Sequence, residues 1–310
     1  MDKIAFLFAG QGAQYVGMGK DLYDSFPESK AVFDRADKVL GFSLSGLCFS
    51  GPQEELTQSQ NCQPAILTMS IAAWEAFKQR TEYRVPSTEY AAGLSLGEYS
   101  ALVAAEAINF EDAVYLVRRR GEFMEEEARK AKGKMASILG LDLSAIREIC
   151  HQTKTEVANI NCPGQIVISG GEKEIEAAEK LARDKGAKKV ILLEVSGAFH
   201  SSLMQGAALK LAQELARIKI DSPRFAVISN VSAKPVTLPE EFRNNLIQQV
   251  VSSVFWEDSM RFMLSQGIGK FFEFGPGKVL KGLMRRIDEK VGVINIEKKE
   301  DVEGVRVNAS

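Results

Sequence analysis

Ser95 stands in the run Gly93-Leu94-Ser95-Leu96-Gly97, the GxSxG spacing of a nucleophilic serine. Glycine on either side permits a sharp, strained turn that presents one hydroxyl at the start of a helix. A serine hydroxyl is a weak nucleophile near neutral pH, so it needs a base within hydrogen-bond reach. The chain holds only two histidines, His151 and His200. His151 lies in the polar run HQTKTEV and reads as a solvent-facing helical residue. His200 follows the small-residue loop Ser196-Gly197-Ala198-Phe199 and precedes the run in which an amphipathic helix begins. A helix N-terminus favours the neutral imidazole that a base requires. The other reading of His200 is a capping or core histidine.

Acyl transfer also needs donors for a tetrahedral oxyanion, and the backbone N–H of Leu96 is placed to supply one. A second donor should come from a tight loop facing the serine, for which Gly10-Gln11-Gly12 is the candidate. The same loop fails as a dinucleotide fingerprint because Tyr15 occupies the third glycine position. Gly275-Pro276-Gly277-Lys278-Val279 likewise lacks the hydroxyl residue and the upstream glycine of a phosphate loop. Of the consecutive Arg118, Arg119 and Arg120, helical phase puts Arg120 alone on the apolar stripe of Ala113, Val114, Val117, Gly121, Met124 and Ala128. A guanidinium on such a face demands an anion, either a structural carboxylate or a substrate carboxylate held by two parallel bonds.

The elements that must position these groups follow from hydrophobic patterning. Residues 3–9 are near-continuously apolar and run into the Gly10 loop, as expected of a parallel strand buried on both faces. Similar runs recur at 88–94, 188–195, 224–231, 270–274 and 291–295, and helical patterns separate most of them, so an α/β class is expected. Residues 134–196 break the rhythm with strand, helix, strand, strand, helix, strand, the ferredoxin-like order. The expected organisation is a discontinuous catalytic domain, 1–130 and 197–310, interrupted by a small domain at 131–196. The charged, aperiodic tail after Glu297 is expected to fray.

Bulk properties exclude several classes. A chain of 310 residues suits one large unit with a smaller companion. Its 45% hydrophobic and 26% charged residues, with mean hydropathy of -0.10, describe a soluble globular protein. With 39 basic against 41 acidic residues the net charge is -2, so no global field draws it to nucleic acid or an anionic membrane. The N-terminal apolar run is too short for a signal segment or a membrane span, which points to the cytoplasm. Cys48, Cys62, Cys150 and Cys162 form no CxxC pair, so neither a zinc site nor a redox dithiol is supported and isolated buried thiols are expected.

From about residue 4 to 288 the chain resembles the malonyl-CoA:acyl carrier protein transacylase family, also found as acyltransferase domains of fatty-acid and polyketide synthases. The resemblance rests on Phe8-Ala9-Gly10-Gln11-Gly12-Ala13-Gln14, Gln63-Pro64-Ala65, Ser95-Leu96-Gly97-Glu98-Tyr99-Ser100-Ala101, Arg120-Gly121-Glu122-Phe123-Met124, Ala198-Phe199-His200 and Phe274-Gly275-Pro276-Gly277. It implies an α/β-hydrolase-like core with a parallel sheet and a ferredoxin-like insert. It also implies a ping-pong reaction in which Ser95 takes the acyl group from malonyl-CoA and passes it to the phosphopantetheine thiol of an acyl carrier protein. By position, Ser95 and His200 form the dyad, the Gln11 and Leu96 amides form the oxyanion hole, and a backbone carbonyl at Gln249 orients the histidine. Arg120 grips the malonyl carboxylate, Phe199 and Met124 join it in binding the substrate, and Phe199 accompanies malonyl rather than methylmalonyl selection. No metal or resident cofactor is implied.

The family usually carries His where this chain has Leu94, which changes the polarity beside the nucleophile but removes neither member of the dyad. Carrier proteins are usually acidic, and Lys188, Lys189, Lys278, Lys281, Arg285 and Arg286 are candidates by charge to receive one, Lys281, Arg285 and Arg286 above all. Two other classes stay open at this point. A thioesterase or esterase would use water in place of the thiol and has no use for a buried Arg120. A silent carrier-binding module would never become acylated.

Overall fold

The computed structural model describes residues 3–80 and 88–305. Its strands, in chain order, are β1 (Ile4–Phe8), β2 (Thr88–Gly93), β3 (Gly133–Leu139), β4 (Glu156–Cys162), β5 (Gln165–Gly171), β6 (Lys189–Leu192), β7 (Ala226–Ile228), β8 (Pro235–Val236), β9 (Val254–Phe255), β10 (Lys270–Phe274) and β11 (Val293–Ile296). The first sheet has the order β11-β10-β1-β2-β7-β8, parallel throughout except that β8 returns antiparallel on β7. The protein is thus a mixed α/β fold built around a parallel sheet.

β1 lies at the centre of this sheet with all five residues buried. Side chains alternate across a strand, so Phe6 and Phe8 enter one apolar cluster while Ala5 and Leu7 enter another. On the first face Phe6 packs against Trp74 with ring centroids 4.7 Å apart, and helices Ser59–Arg80 and Phe110–Ala131 cover it. On the second face lie Met260 and Met263 of helix Trp256–Ser265 and Leu280, Leu283 and Met284 of helix Val279–Ile287. A strand covered on both sides has no polar face, which is why 3–9 reads as a continuous apolar run.

The helix Phe110–Ala131 begins where the Asn109 side chain accepts the N–H of Asp112, and its stripe of Ala113, Val114, Val117, Arg120, Gly121, Met124 and Ala128 is buried as the helical phase predicts. A Cβ on Gly121 would come within 2.5 Å of the Ser59 carbonyl oxygen. That close approach lets two helix backbones nearly touch and brings Arg120 within hydrogen-bond reach of Gln63 on the facing helix.

The second sheet runs β6-β3-β5-β4-β9. β3, β5, β4 and β6 pair antiparallel, and helices Leu143–Thr153 and Glu172–Asp184 supply a separate apolar cluster around Ile138, Ile149, Ile168 and Ile175. The alternation of strands and helices expected over 134–196 is present. The run 188–195 narrows to Lys189–Leu192 at this sheet's edge, where Ile191 and Leu192 are 38% and 47% exposed. The second sheet also takes β9, parallel to β4, from beyond residue 196; two residues are too few to show a period. The strand expected at 224–231 shortens to Ala226–Ile228; Ser229 still donates its N–H to the Lys234 carbonyl at 3.0 Å, and Asn230 turns into the site described below. The tail after Glu297 does not fray as expected. Lys299–Gly304 is a helix whose N-terminus is capped by Asp301 and whose Val302 enters the main core, while residues 306–310 lie outside the described residues.

Candidate active site

Ser95 sits between β2 and helix Gly97–Ala104 with φ of 52°, a left-handed conformation that side-chain-bearing residues rarely adopt. Its neighbours must be glycine for reasons of space. A Cβ on Gly93 would lie 1.9 Å from the Gly97 carbonyl carbon, and one on Gly97 would lie 2.2 Å from the Phe8 carbonyl oxygen. Asn230 clamps the turn from both sides: its Oδ1 accepts the Ser95 N–H at 2.7 Å, and its Nδ2 donates to the Gly93 carbonyl at 2.8 Å.

His200 Nε2 lies 2.8 Å from Ser95 Oγ, and its Nδ1 lies 2.7 Å from the main-chain oxygen of Gln249. A carbonyl only accepts, so Nδ1 carries the proton and Nε2 turns its lone pair to the serine. Burial, and then the charge of Arg120, bring the imidazole down to about 4, so it is neutral and base-competent across the physiological range. The expected cause was a helix N-terminus. The helix Gln205–Leu215 instead begins five residues further on, after a 3-10 turn at Ser202–Met204, and burial does the work. His151 is exposed on helix Leu143–Thr153, as expected.

Arg120 is 1% exposed. Its Nη1 donates to Gln63 Oε1 at 2.8 Å, and its Nη2 to Ser95 Oγ and Gln249 Oε1, each at 3.1 Å. Its Nε has no partner, and among the described residues no carboxylate bonds to it. Arg118 and Arg119, half-exposed, both pair with Glu122. The structural ion pair considered for Arg120 is therefore absent among the described residues, and its charge points at the nucleophile.

The loop after β1 lies against the serine turn, since a Cβ on Gly10 would be 2.4 Å from the Leu94 carbonyl oxygen. The Gln11 side chain is moored by Ser59 Oγ at 3.2 Å and by Gln63 Nε2 at 3.5 Å. Met124 and Phe199 are buried in the main core, Met124 accepting from Gln63 Nε2 through sulfur at 3.6 Å. Leu94 packs beside the second apolar cluster and adds no polar group to the nucleophile. Lys281, Arg285 and Arg286 are exposed on helix Val279–Ile287, but Arg286 also reaches Gln165 Oε1 at 2.5 Å and the Pro163 carbonyl at 3.2 Å.

Sequence reasoning missed Gln63, Asn230 and the side chains of Gln249 and Glu98. Glu98 is 0% exposed; its Oε2 accepts from Gln249 Nε2 at 2.6 Å and from the Asn230 N–H at 3.2 Å. Its one sequence signal was a lone carboxylate in an otherwise uncharged run after the serine. Gln63 stood in the motif Gln63-Pro64-Ala65 that carries the resemblance, without a role assigned to it; Asn230 gave no signal, because an amide in a polar loop looks the same whether or not it faces a site.

The arrangement is a serine activated by a neutral histidine beside a buried cation that bonds directly to no carboxylate of the described chain, which suits formation of a serine ester with an acyl group that carries its own negative charge. Residues 5–271 match the family model described as acyl transferase domain. The chain belongs to this acyl transferase family and, within it, to the malonyl CoA-acyl carrier protein transacylases. It is 48% identical over 308 residues, 98% of this chain and 96% of the relative, to a malonyl CoA-acyl carrier protein transacylase of Bacillus subtilis (strain 168). Among solved structures it is similar to an acyl-carrier-protein-S-malonyltransferase from Bartonella henselae, with a TM-score of 0.94 and 39% identity over 97% of each chain. A malonyl-transacylase solved with its type II PKS acyl-carrier protein gives a TM-score of 0.94 at 37% identity, covering 97% of this chain and 98% of that one.

Among the described residues no helix is long and apolar enough to cross a membrane, and no group of three or more His, Cys, Asp and Glu is placed to hold a metal ion. The four cysteines are free and buried, as the sequence suggested.

Proposed function

We propose that the chain transfers a malonyl group from malonyl-CoA to the phosphopantetheine thiol of an acyl carrier protein, through an ester on Ser95, in fatty-acid or polyketide synthesis. The observation that carries this reading is Arg120, a buried guanidinium bonded to Ser95 Oγ with no carboxylate of the described chain bonded to it. A malonyl carboxylate can bond that guanidinium directly, whereas a neutral ester offers it no charged partner. The solved malonyl-transacylase with its carrier protein supports a carrier as the acceptor.

In this reading His200 Nε2 takes the Ser95 proton as Oγ attacks the thioester carbonyl, and the Gln11 and Leu96 amides receive the oxyanion. CoA leaves with the proton that His200 carried. The carrier's thiol then enters, gives its proton to His200 and takes the malonyl group, and the proton returns to Ser95. Gln249 holds the imidazole through its carbonyl, and Phe199 and Met124 wall the acyl pocket. These steps call on no metal; malonyl-CoA is a substrate, and the phosphopantetheine belongs to the partner. The cytoplasm is the compartment where such substrates would be met.

We read the first sheet as an α/β-hydrolase-like core, residues 1–130 and 197–310, and 131–196 as a ferredoxin-like insert, a reading supported by the β6-β3-β5-β4 order. Lys281 and Arg285, with Arg286 partly engaged at the β4–β5 turn, form the basic surface we assign to an acidic carrier.

The test is intact-protein mass spectrometry after brief mixing with malonyl-CoA. A single malonyl adduct is expected, discharged by holo carrier protein and absent in Ser95→Ala. An adduct that persists in Ser95→Ala overturns the nucleophile, and an adduct lost to water as fast as to carrier protein makes the chain a hydrolase.

A further inference from the structure

The transfer mechanism uses Ser95, His200 and Arg120 and leaves a second buried charge without a task. Glu98 belongs to the first turn of helix Gly97–Ala104, whose other residues are apolar or small and uncharged. A carboxylate there is costly unless a cation or hydrogen bonds compensate it. The cation facing it is Arg120, which acts on it through space. The two are joined through the side-chain amide of Gln249, whose Oε1 accepts from Arg120 Nη2 at 3.1 Å and whose Nε2 donates to Glu98 Oε2 at 2.6 Å. The cation needs the amide oxygen and the anion needs its NH2, so the pair fixes which way the amide points. Glu98 Oε1 is buried and has no partner.

The surroundings add little other charge. Its own helix contributes Tyr99, the loop before Gln205 contributes the neutral His200, and the end of β7 contributes Ser229 and Asn230. Helix Ser59–Arg80 offers Gln63, while its Glu75 and Lys78 pair with each other near the far end. β1 has no titratable side chain, and in β2 Glu89 pairs with Lys3 while Tyr90 packs on Phe262.

We propose that Glu98 is the resting counter-ion of Arg120, and that it takes up one proton from solvent on Oε1 when a malonyl carboxylate reaches Arg120. The inference rests on the malonyl-transfer reading. Before loading, one buried cation faces one buried carboxylate. After loading it faces two, and like charges that share a buried site cannot both stay ionised at no cost. The malonyl carboxylate makes the direct contact, so Glu98 is the one to be neutralised. Burial has already pushed Glu98 up to about 7, so a modest loss of the Arg120 field suffices. An acetyl group brings no charge and requires no such proton. Glu98 touches no substrate in this scheme; it is a positioning residue that holds Gln249 and yields its charge.

The sign of the pH effect follows. The malonylated enzyme holds Glu98 protonated to a higher pH than the free enzyme, so between the two values loading consumes a proton. Malonyl loading then weakens by up to about tenfold per pH unit above about pH 7, and acetyl loading does not.

The experiment is stopped-flow mixing with malonyl-CoA in weakly buffered solution at about pH 8 with a pH indicator, with intact mass read on the same sample. Ionisation of the released CoA thiol is calibrated with CoA alone. Close to one proton taken up per malonyl adduct is expected. In Glu98→Gln, whose amide keeps an acceptor for Gln249, the adduct should still form without uptake, and kcat/KM for malonyl-CoA should lose its alkaline decline. An adduct that forms in the unaltered protein with no uptake overturns the proposal whether or not the variant folds, as does uptake undiminished in Glu98→Gln. Failure to form any adduct overturns the malonyl reading itself, and the role of Glu98 with it.

Discussion

Replacing Arg120 by Ala separates a substrate clamp from a structural arginine. The variant removes donors to Gln63 Oε1, Ser95 Oγ and Gln249 Oε1, and those losses fall equally on every acyl group. It also withdraws the charge that helps to hold His200 neutral, again whatever the acyl group. What differs between substrates is the charge-assisted pair with the malonyl carboxylate, and truncating one partner of a buried hydrogen-bonded charge pair costs about 2 to 5 kcal/mol. At about 1.4 kcal/mol per decade, the ratio of kcat/KM for malonyl-CoA to that for acetyl-CoA should fall by about thirty-fold to several thousand-fold. The assay is CoA release with each thioester, on protein whose thermal unfolding has been compared with the parent. Working in ratios cancels the common losses. Equal falls for the two substrates would refute the reasoning and leave Arg120 as a brace for Gln63 and Gln249.

Two further outcomes follow from the geometry. Because burial and Arg120 lower the His200 imidazole to about 4, kcat/KM should stay flat down to about pH 5 and fall below it as the base is protonated. In Arg120→Met, followed with acetyl-CoA, this acid limb should move to higher pH; a limb that starts near pH 6.5 in the parent would contradict the burial argument. Gly97→Ala should lower stability by about 3 kcal/mol or more and abolish loading, since its Cβ would meet the Phe8 and Ala9 carbonyl oxygens at 2.2 and 2.9 Å. Gly282→Ala, in open space on helix Val279–Ile287, should instead raise the melting temperature, by about 0.5 to 1 kcal/mol of stability. Thermal melts of both variants check the pair.

The chain's own sequence determined the local parts of this protein. The GxSxG turn was legible because its glycines mark a tight turn in which Gly93 meets the backbone of Gly97; that Gly97 must also clear the Phe8 carbonyl of β1 was not. β1 and the helix Phe110–Ala131 were legible because burial imposes a period, and that period singled out Arg120 from its two neighbours. Scarcity of histidine left His200 as the one candidate base. The resemblance, not spacing, supplied Gln249 and the oxyanion amides.

Tertiary structure alone decided how distant groups meet. β9 joins the second sheet with only two residues, and β7 stops at Ile228 so that Asn230 can clamp Ser95, 135 positions away in sequence. The neutrality of His200 comes from burial beneath several elements rather than from the helix end that its local sequence suggested. Glu98, Gln249 and Arg120 form one electrostatic unit only because three separate helices converge on them. Periodicity records which face of an element is buried; it holds no record of which other element covers that face, and the field at a buried charge is set by that covering.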